Sequence, residues 1–108
     1  MIITSSESIH GYKLTETLGL VRGSSIRTRN LLADITEWFR GLVGAELDHY
    51  TKMMAEAREQ ALDRMEQEAR QLGADAIVQI RFATSSIASG ASEMLVYGTA
   101  VRMRKTND

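Results

Sequence analysis

Glu93-Met94-Leu95-Val96-Tyr97-Gly98-Thr99-Ala100-Val101-Arg102-Met103-Arg104 reads as a strand with apolar residues on both faces. The two-residue period of a strand puts Leu95, Tyr97, Val101 and Met103 on one side and Met94, Val96 and Ala100 on the other. A strand of this kind needs cover on both sides. The number of covering elements elsewhere in the chain therefore decides the architecture.

Upstream, the run from Ala76 to Ser85 holds Val78, Ile80 and Phe82 on one face, and the small residues Ser85 to Ser92 follow it. The two runs read as a long antiparallel hairpin. Before the hairpin, Leu47, Tyr50, Met54, Ala57, Ala61, Met65, Ala69 and Leu72 recur with a helical period. Residues 46 to 72 thus predict a rod on the order of 40 Å, ended by Gly73 as a C′ residue. Asp48 with Lys52 and Glu66 with Arg70 are supporting i,i+4 pairs. The small side chains of Ala57, Ala61 and Ala69 let such a helix sit close on a sheet.

Further upstream, Leu31, Ile35, Trp38 and Leu42, widened by Leu32, Phe39 and Val43, predict a shorter amphipathic helix. Thr28 or Asn30 would cap it and Gly44 would stop it. Residues 12 to 22 alternate as a half-buried strand, and Gly23-Ser24-Ser25 reads as the break after it. The expectation is one α+β domain over residues 1–108: a two-layer sandwich of an antiparallel sheet with one long and one shorter helix.

Thirteen basic and fourteen acidic side chains nearly cancel. A nucleic-acid partner needs a concentrated positive field, so none is expected; Arg102, Arg104 and Lys105 read as a solvated strip. With no cysteine, disulfides and thiolate metal sites are excluded. No signal peptide and no apolar run of about 20 residues is visible, so the expected location is cytoplasmic. The shorter helix offers a single cation, Arg40, beside Asp34 and Glu37, which disfavours a membrane surface.

The long helix can cover one face of the last strand. The other face and the aromatic-bearing shorter helix then exceed what one chain hides, and such surplus marks an interface. The expectation is a closed homo-oligomer with Trp38, Phe39, Met94, Val96 and Ala100 at its contacts, taking an unknown small ligand or partner.

Catalytic chemistry is harder to find. His10 and His49 have no visible orienting partner, and no serine lies in a G-x-S-x-G elbow. Gly23-Ser24-Ser25, flanked by Arg22, Arg27 and Arg29, resembles an anion-binding turn only faintly, and a plain turn is the preferred reading. Arg58 reads as either an inter-subunit ion-pair residue or a solvated one. Glu46, Asp48 and His49 are the candidate ligands for a divalent metal; no other cofactor is indicated. The chain reads as a non-enzymatic protein.

Gly19 and Gly23 around a strand end, Tyr50, Ala57-Arg58-Glu59-Gln60-Ala61, Leu72-Gly73-Ala74-Asp75-Ala76-Ile77-Val78 and Gly98-Thr99-Ala100-Val101 together resemble the YbjQ-like family of small bacterial proteins. The resemblance covers about residues 10 to 104. It implies a two-layer subunit related to dodecin-like folds, a pentameric ring and a heavy-metal-binding label. Two departures bear on that label. Gly44-Ala45-Glu46-Leu47-Asp48-His49 stands where the family tends to have Gly-Gly-Arg-Ser-Gly, and Arg81, Ala83 and Ser85 stand where it tends to place acidic residues. Hard and borderline cations want carboxylate or imidazole donors, and the second change removes them from the strand.

Overall fold

The computed structural model describes residues 1–28, 43–88 and 91–106, with the backbone alone for 28 and 43–50. Its elements are β1 (Ile2–Ile3), β2 (Tyr12–Thr28), α1 (Val43–Gln71), β3 (Ala76–Ala88) and β4 (Ala91–Lys105). They form one four-stranded sheet in the order β1-β3-β4-β2 with α1 on one face. The doubly apolar strand is β4, and it lies between β3 and β2, antiparallel to both. Two-residue β1 runs parallel to β3 and makes the sheet mixed, an addition the sequence reading did not contain.

The 29-residue α1 buries Ala57, Ala61, Met65 and Ala69, each at most 1% exposed. Their four-residue spacing keeps one narrow stripe against β2 and β4. The facing strand residues are Val21, Met94, Val96 and Ala100, with Ile77 from β3. A Schellman motif ends the helix: Ala74 N–H donates to the Ala69 carbonyl and Gly73 N–H to that of Arg70, with Gly73 at φ 78°. The Glu66–Arg70 pair forms at 2.9 Å on the helix surface.

Two sequence expectations change here. Gly23-Ser24-Ser25 does not end a strand; β2 continues through it to Thr28. A Cβ on Gly23 would lie 2.0 Å from the Ala61 carbonyl oxygen, so this glycine is there to let the helix backbone touch the strand. Ser25 is fully buried and its hydroxyl donates to Gln60 Oε1 at 2.6 Å, so the polar pair sits inside the helix–sheet contact. Gly44 likewise lies inside α1, as its second residue. The shorter helix predicted around residues 31–42 lies outside the described residues.

Register shifts in β2 between Leu14 and Glu16 and between Thr17 and Gly19 change which face the chain serves. Leu14 packs with Ala76, Val78, Val101, Met103 and Ile9 on the face away from α1, whereas Leu18 packs against the helix-side core. Ile9 covers that second face at one end, and residues 4–6 run along the outer edge of β3. Thr4 N–H donates to Ile77, Gln79 N–H to Ser6, Ile80 N–H to Thr4, and Arg81 Nη1 to Ser5, all onto carbonyls. Gln79 takes φ 53° at the register shift between Val78 and Arg81.

Beyond Arg81 no described residue covers that face. Leu20 is 68%, Ile26 52% and Tyr97 38% exposed on the face opposite α1. The chain exposes 7378 Å², against about 6,000 Å² for a compact monomer of its mass. Its radius of gyration is 17.7 Å, against roughly 13 Å for a compact fold of this length.

Candidate functional site

The outer edge of β2 borders a cleft of about 470 Å³ lined by Arg22, Gly23, Ser24, Arg64, Glu68, Glu93 and Leu95. Strand alternation places Arg22 and Ser24 on the face away from α1, in register with Tyr97 and Leu95. Gly23, between them, brings α1 against the strand and so brings Arg64 and Glu68 to its edge. Arg64 Nη1 donates to the Ser24 carbonyl.

That bond fixes the direction of the ladder. Because the Ser24 carbonyl points outward, Ser24–Leu95 is a pair that does not bond across to β4. By alternation, Leu20, Arg22, Ser24 and Ile26 turn their N–H and C=O groups to the open edge, while Val21, Gly23 and Ser25 bond to β4.

Two guanidinium groups and two carboxylates give the cleft nearly balanced charge. Its polar groups suit a neutral hydrogen-bonding partner better than a free anion, whose charge the carboxylates would oppose. The nearby Ser25 hydroxyl is buried and already committed to Gln60. Of the hydroxyls near the cleft, Ser24 lines it beside Glu68 and Glu93.

Several residues singled out in the sequence lie elsewhere. Met94, Val96 and Ala100 are 8%, 0% and 0% exposed beneath α1, not on an outer face. The helix takes their side of β4, and the residues left for an outer contact on that strand are Leu95 and Tyr97 on the other side. Trp38 and Phe39 lie outside the described residues. Glu46, Asp48 and His49 fall in the first turns of α1, and their side chains lie outside the description. Among the described residues no three His, Asp or Glu side chains converge as metal ligands, so the described part of the chain does not fit a metal centre. Arg58 is exposed on α1, and His10 is exposed in the turn before β2. No helix among the described residues is long and apolar enough to cross a membrane.

Of the flanking arginines, Arg22 joins the cleft and Arg27 does not, and Arg29 lies outside the described residues. Arg64, Glu68 and Glu93 escaped the sequence reading. Their signal was positional: Arg64 and Glu68, four apart, each precede a residue of the buried stripe, Met65 and Ala69.

The YbjQ family model, described as "Putative heavy-metal-binding", matches residues 1–104. The UPF0145 protein of Thermosipho africanus is 51% identical over 108 residues, covering all of both chains. That of Halorubrum lacusprofundi is 54% identical over 104 residues, 96% of this chain and all of its own. The relatives include archaea, which widens the bacterial expectation. Among solved structures, a protein of unknown function from Pediococcus pentosaceus, assigned to the DUF74 family, superposes with a TM-score of 0.65 at 18% identity, over 96% of this chain and 98% of that one; it supports the fold alone. By sequence over its whole length, the chain belongs to the YbjQ family of UPF0145 proteins.

Proposed function

We propose that the protein is a non-enzymatic, closed homo-oligomer, a pentameric ring, that takes a small ligand or partner through the assembled ring. The observation that carries this reading is the bare outer half of the sheet, with Leu20, Ile26 and Tyr97 exposed opposite the helix. Such a patch is an interface more readily than a monomer surface. Surface and shape support it, since the excess of roughly 1,400 Å² over a compact monomer matches two contact areas of about 800 Å² per chain. Each subunit of a ring has two such contacts; the number five comes from the family resemblance. Native mass spectrometry at micromolar concentration tests it. A pentamer is expected, and a monomer refutes the reading.

The family description favours one second reading, a metal-binding protein using Glu46, Asp48 and His49. Elemental analysis of untagged protein decides. A metal content near one per subunit that is lost in His49→Ala supports it, and a content well below one, unchanged in that variant, ends it.

A further inference from the structure

We propose that the outer edge of β3 in one copy adds as a parallel strand to the outer edge of β2 in the next, filling the cleft between Arg22 and Glu68. This rests on the oligomeric reading and adds to it a main-chain contact along the β2 edge that borders the bare face.

The β3 edge is unguarded. β1 pairs only with Ala76 and Ile77, and the N-terminal segment takes the N–H groups of Gln79 and Ile80. From Arg81 to Ala88 every residue is exposed, and no strand among the described residues pairs with the outer side. Phe82 is 45% and Ile87 50% exposed. Residues 82–88, Phe-Ala-Thr-Ser-Ser-Ile-Ala, contain no charge and no proline. Those are the devices that keep a free edge from pairing. Leu95 turns its backbone groups to Ala83, because its pairing with Ser24 is the non-bonded kind. Phe82, Thr84 and Ser86 therefore turn theirs outward.

The β2 edge is the complement. Its outward groups at Arg22 and Ser24 lie along a cleft whose charged side chains suit neutral donors and acceptors, which the backbone and the Thr84 and Ser86 hydroxyls supply. One of those acceptors, the Ser24 carbonyl, is held by Arg64 and passes to the incoming strand. Main-chain bonding of this type is the strand-addition mode of recognition.

Direction and height agree as well. β2 and β3 are each antiparallel to β4, so they run the same way. Rotation about an axis along the strands sets β3 of the next copy parallel to β2. Because Ser24 and Ala83 both face Leu95, it also brings Ser24 level with Ala83 and Thr84. Two different edges meeting head to tail close into a ring.

Thr84→Pro removes an outward N–H that the single chain does not use. Native mass spectrometry should show the oligomer fraction falling more than tenfold at micromolar concentration, with the far-UV circular dichroism retained. The chain has no cysteine, so Ser24→Cys and Ala83→Cys proteins, whose new side chains share the face away from α1, can be mixed under mild oxidation, and the mixture should give a disulfide-linked heterodimer. An Ala83→Cys protein that cross-links to itself as fast as the mixture does would mean that β3 pairs with β3, and overturns the proposal. Thr84→Pro remaining assembled without a mixed disulfide also overturns it, and leaves the ring reading standing. A monomeric parent protein ends both. Should Thr84→Pro fail to fold, the cross-link alone decides.

Discussion

Replacing Gly23 by alanine sets two physical effects against each other with opposite signs. In the middle of a strand, alanine is favoured over glycine by roughly 0.5–1 kcal/mol because it has less backbone freedom to lose. The structure demands the reverse. The new methyl carbon would stand 2.0 Å from the Ala61 carbonyl oxygen and 2.5 Å from the Met65 nitrogen, both helix backbone atoms that cannot swing aside as a side chain would. Restoring an ordinary separation of about 3.4 Å lifts α1 by more than about 1 Å, which forfeits a quarter to a half of the dispersion energy along the Ala57, Ala61, Met65 and Ala69 stripe. The expected net loss is about 3 kcal/mol, or a drop in Tm on the order of 10 °C for a chain of this size. Urea and thermal unfolding followed at 222 nm, at one fixed protein concentration, measure it. Gly98→Ala is the internal comparison. Its methyl would meet the Ile77 and Ile80 Cγ2 atoms at 2.9 Å and the Val78 carbonyl at 3.1 Å, mostly side chains that can shift, so it should cost about 1 kcal/mol. A Gly23→Ala protein as stable as the parent, or more so, refutes the close-approach argument.

The Ser25–Gln60 hydrogen bond predicts an asymmetry. Gln60→Ala strands a fully buried hydroxyl and should cost about 2 kcal/mol, whereas Ser25→Ala leaves a half-exposed amide that can turn to water and should cost about 1 kcal/mol; equal losses in urea titration contradict this. Gln79 sits at φ 53°, so Gln79→Gly should gain up to about 1 kcal/mol, and a measurable loss means the side chain has a role the backbone does not show. Leu20→Glu, on a residue 68% exposed in the single chain, should abolish assembly in gel filtration while leaving helix content unchanged; an intact oligomer removes the bare face from the interface.

Much of this fold was legible in the residues. The two-residue period marked β4 as apolar on both sides, the spacing of Ala57, Ala61, Met65 and Ala69 marked the buried helix stripe, and Gly73 marked where the helix stops. These signals are local: neighbouring residues on one element share a face whatever the rest of the chain does. The surplus of apolar faces was equally a property of the sequence.

Which face would be left bare was not. That depended on α1 settling over β2 and β4, so that Met94, Val96 and Ala100 became core and Leu20, Ile26 and Tyr97 became outer surface. Gly23-Ser24-Ser25 carries the composition of a turn, and only contact with Gln60, Ala61 and Met65, far along the chain, makes it a strand. The register shifts that send Leu14 and Leu18 to opposite faces, and the meeting of Arg22, Arg64 and Glu93 at one edge, arise the same way. Pairings between distant elements are chosen by the global packing of the chain, and no short-range period encodes them.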